Sequence, residues 1–233
     1  MPKLRWPVVL FDLDGTLADS ISLVVASYAY AFSTVNGRTI DPEQAKRWIG
    51  ETLATTMARE DPSNTDRLQA AYRAYCDAHL DMIGGYPGVP GLLARLRASG
   101  ATTGVVTSKG RDIAVATMAR AGVAQAIELV CSRESTTVHK PDPAPLLEAA
   151  SILGVAPQDC VYVGDAVHDI RAARAACMAA VAVTWGAGVR DELVALGPDA
   201  ICDDADELMR VLFSHESLAD YGRGAPQTSS PPA

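Results

Sequence analysis

The stretch "FDLDGTLADS", residues 11–20, decides how the rest of the chain is read. A short apolar run, Val8 to Phe11, leads directly into Asp12 and Asp14, followed by Gly15 and Thr16. The run is apolar without alternation, as expected of a strand buried on both faces of a parallel sheet. Ligands bind such sheets at the carboxyl ends of their strands. Two carboxylates at this end therefore mark a candidate site. Side chains two apart on an extended chain point to the same side, so Asp12 and Asp14 are expected to converge.

The sequence beyond this run changes character twice. Residues 19–81 hold four helical stretches, Ser20–Val35, Pro42–Trp48, Thr52–Arg59 and Asn64–Met82, and no strand pattern. Asp41-Pro42 and Asp61-Pro62 read as helix starts, with an acid just before a proline in the first turn. "GGYPGVPG", residues 84–91, is a turn-rich hinge. After it, helices and strands alternate. The helices are Val89–Ser99, Asp112–Ala121, Pro143–Leu153, Ile170–Ala176, Asp191–Leu196 and Ala205–Leu212. The strands are Thr102–Thr107, a short one around Leu129, Cys160–Gly164, Ala180–Thr184 and Ala200–Cys202. Repeated units of this length predict an α/β fold with a doubly wound parallel sheet, interrupted by an all-helical insert. The expected division is residues 1–17 and 85–212 for the sheet domain and 18–84 for the insert. Residues 213–233, rich in Gly, Pro and Ser, are expected to form a disordered tail.

Composition narrows the function. The chain has 233 residues and a formal net charge of −8, which argues against a nucleic-acid or anionic-membrane surface. No window approaches the ~20 apolar residues of a membrane helix, and the N-terminus does not read as a signal peptide. Cys76, Cys131, Cys160, Cys177 and Cys202 are odd in number and show no C-x-x-C spacing. They read as small packing residues in a reducing, cytoplasmic setting.

The polar groups that can do chemistry fall at strand ends. Asp12 and Asp14 follow the first strand, Thr107, Ser108 and Lys109 the second. Lys140, in "HKPDP", follows the weak third, and Asp165 and Asp169, in "VGDAVHD", follow the fourth. Taken singly, each has an ordinary role as a turn, a surface lysine or a helix cap. Gathered at one edge, the carboxylates repel unless a cation intervenes. An oxygen-only donor set with open positions suits magnesium. Lys140 and Thr107 add donors for an anion, and the sum describes a phosphoryl site.

With these four motifs in this order, the chain resembles the haloacid dehalogenase-like hydrolase superfamily, up to about Leu212, and within it the phosphoglycolate phosphatases. The resemblance implies a Rossmann-like core, and it makes the helical insert a cap domain. It implies a magnesium-dependent phosphatase with Asp12 as nucleophile and Asp14 as general acid and base. Magnesium would be held by Asp12, the Asp14 backbone carbonyl and Asp165, with Asp169 behind them or as a further ligand. Gly15, Thr107, the Ser108 amide and Lys140 would grip the phosphoryl group. Dehalogenases of the superfamily lack a carboxylate at the position of Asp14. So do phosphonoacetaldehyde hydrolases, which also carry a cap lysine for imine formation, whereas this cap has only Lys46. Many relatives carry Ser or Thr where this chain has Ala166.

Arg47, in "RWIGETL", is a candidate for a substrate carboxylate, with Lys109 and Arg111 as rivals. His139 and His168 are expected at the rim, and Trp48 and Trp185 in packing. The expected partner is a small phosphorylated metabolite, 2-phosphoglycolate before others, with the protein a monomer or homodimer. The alternatives are a sugar-phosphate mutase, an inorganic pyrophosphatase and, in another class, a phospho-accepting signalling module. The last also combines aspartates, threonine and lysine on a doubly wound sheet, but in about half this length.

Overall fold

The computed structural model describes residues 4–213. The predicted tail lies outside the described residues except for Phe213, which is helical and buried. In chain order the elements begin with β1 (Val8–Phe11), β2 (Ala18–Asp19), α1 (Ile21–Asn36), α2 (Pro42–Lys46), α3 (Leu53–Glu60), α4 (Thr65–Ala78) and β3 (Gly84–Gly85). There follow α5 (Val89–Ala98), β4 (Thr102–Val106), α6 (Arg111–Arg120), β5 (Leu129–Cys131), α7 (Ala144–Leu153) and β6 (Cys160–Gly164). The chain continues with α8 (Val167–Ala175), β7 (Ala179–Val183), α9 (Arg190–Ala195), β8 (Ala200–Cys202) and α10 (Ala205–Phe213).

Six strands form one parallel sheet in the order β5-β4-β1-β6-β7-β8. β1 sits between β4 and β6, with Phe11 opposite Val105 on one side and Val163 on the other. Alternation then explains its unbroken apolar run. Val9 and Phe11 enter one core with Val105, Val163 and Leu92, while Val8 and Leu10 enter the other with Tyr162, Leu146 and Ile170. Burying each large apolar side chain contributes roughly 1.5–3 kcal/mol. The winding direction reverses at β1, which opens a crevice over its carboxyl end.

The insert has its own apolar core. Tyr28 and Phe32 of α1 pack on Trp48, with Met57 of α3 and Leu68 of α4. Asp41 caps α2 by accepting from the amides of Glu43 (2.8 Å) and Gln44 (3.2 Å), with Pro42 in the first turn. Asp61 does not repeat this. Its carboxylate is taken by Asn36, Ser63 and Asn64, so a short 3₁₀ turn follows and α4 begins at Thr65. A feature without a strand pattern in the sequence joins the two parts. β2 and β3 pair antiparallel, Ala18 with Gly85 and Asp19 with Gly84, and bring the two crossings into one ribbon.

Candidate active site

β1 and β6 deliver the acids, and the loops after β4 and β5 deliver the cations. β1 ends at Phe11, and the amide of Asp12 makes a last bond to Val163 O (2.9 Å). The chain then turns tightly, with Leu17 and Ala18 both donating to Leu13 O. Because the strand stops there, the two-residue rule does not carry past Asp12. Asp12 and Asp14 line the same cavity but join different partners. This corrects the expected convergence on one ligand set.

Asp12, Asp165 and Asp169 bring carboxylate oxygens within 4.8 Å of one another, all buried. Lys140, a residue only 3% exposed, donates from Nζ to Asp12 Oδ1 (2.8 Å), Asp169 Oδ1 (2.7 Å) and Tyr162 Oη (2.9 Å). Tyr162 in turn donates to Val106 O (2.7 Å), which fixes the hydroxyl as an acceptor for the lysine. Asp165 is held by Thr16 Oγ1 (2.9 Å) and the Ala187 amide (2.7 Å), and Asp169 by the Ala166 amide (2.9 Å).

Charge in this cluster does not balance. Burial, then the neighbouring Asp169 and Asp14 charges, push the Asp12 pKa up to about 7 against the opposing pull of Lys140. Burial followed by the charges of Asp169 and Asp12 raises Asp165 well above the usual carboxylate range. Burial alone would lower Lys140, but Asp12 and Asp169 more than reverse this and hold it firmly cationic. Three buried carboxylates thus share one ammonium. A hard divalent cation on their remaining oxygens would supply the missing charge, and the donor set fits magnesium. Asp14 is absent from this cluster by its side chain. Its Oδ1 instead accepts from Lys109 Nζ (2.6 Å) and Ser20 Oγ (2.5 Å).

Small residues make room for Asp165. A Cβ on Gly15, Gly186 or Gly188 would collide with that residue, and Gly15 also has φ +83°. Gly15→Ala is therefore expected to displace Asp165 and weaken magnesium binding by about 10- to 100-fold, the scale seen when a ligand's support is lost. Titration calorimetry with Mg²⁺ checks this, and unchanged affinity would remove Asp165 from the ligand set.

The cluster lies beside a cavity of about 470 Å³ beneath the cap, lined near its base by Asp12, Asp14, Thr107, Ser108 and Lys109. Val24, Tyr28, Trp48, Ile49 and Leu53 supply an apolar wall from the cap. Thr107 is buried at the end of β4. Ser108 Oγ donates to Gly50 O (2.8 Å), which ties the core to the cap turn. A Cβ on Gly50, where φ is +97°, would meet Ala166 at 3.2 Å and His168 at 3.3 Å. Ala166 thus fills this contact with a methyl group in place of a hydroxyl.

Other sequence candidates fall elsewhere. Arg47 is exposed and does not line the cavity, and Lys46 pairs with Glu43 on the cap surface (2.8 Å). Arg111 is exposed at the cavity wall. His168 Nε2 lies 3.7 Å from Glu51, whereas His139 is half-buried outside the cavity. Trp48 packs in the cap core, and Trp185 Nε1 donates to Thr16 O (3.1 Å). Sequence reasoning assigns no role to Ser20, Thr16 or Tyr162. A tyrosine inside the apolar run "CVYVG" is the one signal that points to the last. All five cysteines are free thiols, four of them buried. Among the described residues no helix is long and apolar enough to cross a membrane.

Buried acids around a lysine, at the crevice of a doubly wound sheet and under a helical cap, are the equipment of a phosphoric ester hydrolase. The chain belongs to the haloacid dehalogenase-like hydrolases, whose family model matches residues 9–183. It is 30% identical over 205 residues to pyrophosphatase PpaX of Bacillus cereus, covering 88% of this chain and 95% of that one. The structure of a predicted phosphoglycolate phosphatase from Haemophilus somnus superposes with a TM-score of 0.78 at 25% identity, over 88% of this chain and 97% of the other. A hydrolase from Pseudomonas syringae gives 0.80 at 26%, over 89% and 98%. Membership in a hydrolase family, with a cap and acids at β6, separates the protein from phospho-accepting signalling modules.

Proposed function

We propose that this phosphatase hydrolyses a small phosphomonoester through an aspartyl-phosphate on Asp12, with 2-phosphoglycolate the first candidate. The observation that carries the proposal is Lys140 bridging Asp12, which lines the cavity, and Asp169 behind it. Lys140 neutralises the nucleophile's surroundings so that an anionic phosphoryl group can approach. Bound magnesium, held by Asp12, Asp165 and Asp169 with the Asp14 carbonyl, would supply charge stabilisation for the phosphoryl oxygens. An Asp12 oxygen attacks phosphorus, the ester P–O bond breaks, and its electron pair goes to the leaving oxygen, which takes a proton from Asp14. Water then attacks the same phosphorus and gives its proton to Asp14, while the acyl-phosphate P–O bond returns its electrons to Asp12. Thr107 and the Ser108 amide would hold the phosphoryl oxygens between the two steps, a role supported by both residues lining the cavity.

Asp14→Asn keeps the shape but can neither give nor take the proton. Turnover is expected to fall about 10²- to 10⁴-fold, and less on a substrate whose leaving group needs no proton, such as p-nitrophenyl phosphate. Equal losses on both substrates would remove Asp14 from the general-acid role.

Pyrophosphate is the second reading, favoured by the name of the Bacillus relative. The apolar residues of the cap wall favour a leaving group that carries carbon. A panel of 2-phosphoglycolate, pyrophosphate and hexose phosphates, with magnesium and after chelation, tests both. Phosphate release from 2-phosphoglycolate alone, lost on chelation, supports the first reading. Preference for pyrophosphate supports the second, and metal-independent hydrolysis would overturn the use of magnesium.

A further inference from the structure

We propose that Lys109 is the specificity residue of this site and binds a second anionic group carried on the leaving side of the substrate. The inference rests on the phosphatase reading and on Asp14 acting at the leaving oxygen.

The loop after β4 holds Lys109 firmly. Its amide donates to Thr107 Oγ1 (3.2 Å), and its carbonyl accepts from the Arg133 amide (2.9 Å). Its ammonium lies at the base of the cavity, with the side chains of both Lys109 and Asp14 only 13% exposed. One N–H goes to Asp14 Oδ1 (2.6 Å) and a second to Thr117 Oγ1 (3.3 Å), whose own hydroxyl donates to Ile113 O. No protein acceptor among the described residues takes the third. The ammonium therefore has a donor left for a ligand.

Position fixes what that ligand is. Asp14 must reach the leaving oxygen to protonate it, and Lys109 is hydrogen-bonded to the same carboxylate. Atoms two or three bonds beyond the leaving oxygen then fall beside Lys109. A carboxylate attached through one methylene, or a second phosphate, places negative charge there. A neutral hydroxyl at the same place gains only an ordinary hydrogen bond.

The other cations near the cavity are paired with acids or lie exposed on its wall, as Arg73 and Arg111 do. Lys140 serves Asp12 and Asp169, Arg133 pairs with Glu134 (2.6 Å), and Arg73 donates to Gln69 (2.9 Å). The acids of the outer wall are partly compensated, Glu51 by Arg59 (2.6 Å) and Glu134 by Arg133. Asp77 and Asp112 add negative charge to the wall and make an inner cation more necessary for an anionic leaving group.

The test compares 2-phosphoglycolate with 2-hydroxyethyl phosphate, its neutral counterpart, in the wild type and in Lys109→Met. The readout is the ratio of the two kcat/KM values, which cancels any common loss from disturbing Asp14. The ratio is expected to favour 2-phosphoglycolate in the wild type. It should fall about 10- to 150-fold in Lys109→Met, as expected for losing a charge-assisted bond, with the larger part in KM. Lys109→Arg should restore part of it. Lys109→Gln, which keeps a polar chain on a partly exposed residue, serves if the methionine variant does not fold. A ratio unchanged by substitution, or no wild-type preference for the anionic substrate, overturns the inference and leaves the phosphatase standing. A wild type that releases phosphate from neither ester, nor from pyrophosphate, overturns the phosphatase reading and this inference with it.

Discussion

Asp12→Asn is expected to lower turnover by at least about 10⁴-fold and to abolish any phospho-enzyme, because it removes a nucleophile on which both chemical steps depend. The amide matches the carboxylate in shape but carries no charge to drive attack on phosphorus. Asp12 is 3% exposed and sits in a cluster where carboxylates outnumber cations. Removing one negative charge should therefore leave the fold intact and its melting temperature equal or higher. That separates lost chemistry from lost structure. Acid-quenched trapping of phosphate on the wild-type protein, and its absence from the variant, is the direct measurement. Substantial residual activity with a trapped phospho-protein would place the nucleophile on another residue.

Lys140→Ala should fail in both respects. The ammonium serves Asp12, Asp169 and Tyr162 from a fully enclosed position. Its loss leaves two buried carboxylates without a counter-charge and a cavity where the alkyl chain lay. Breaking a buried pair in this way costs about 3–5 kcal/mol. In a domain of this size that corresponds to a fall of roughly 6–20 °C in Tm. Activity should fall to the background of the assay. Lys140→Met fills the space without the charge, so it should recover part of the stability and none of the activity. Thermal melts and phosphate release on the same samples check both. A Lys140→Met protein with near-normal turnover would show that the lysine only supports the fold.

The two variants differ because the site holds opposite charges in unequal numbers. Taking a carboxylate from the cluster relieves repulsion, whereas taking the ammonium increases it. Added magnesium should therefore stabilise the wild type by occupying the native site, with the gain following ligand concentration.

Much of this arrangement is legible in the order of the residues. The unbroken apolar run at Val8–Phe11 indicates burial on both faces, and β1 does lie in the middle of the sheet. Asp41-Pro42 marks a helix start because an N-cap acts within a few residues. The same dipeptide at Asp61 also starts a helical segment, but as a 3₁₀ turn without a side-chain cap, since Asn36, distant in sequence, competes for the carboxylate. That the Asp14 carboxylate takes Lys109 instead of joining the acid cluster is hidden, because the strand stops at Phe11 and the chain turns. Arg47 is a reasonable candidate on one helix of the insert, but the packing of Trp48 and Ile49 into the cap core leaves it on the outside.

Local pattern is enough for the class of fold, the interruption of the sheet by a helical insert, and the gathering of acids and lysines at one edge. Each follows from periodicity, because alternation and strand ends are set by neighbours a few residues away. Which cation meets which acid is a property of the folded chain alone. Lys109 reaches Asp14 across 95 residues of chain, Lys140 reaches Asp12 across 128, and Thr16 reaches Asp165 across 149. Such pairs depend on strand order and on the path of long side chains through the packed interior, and no short-range pattern records either.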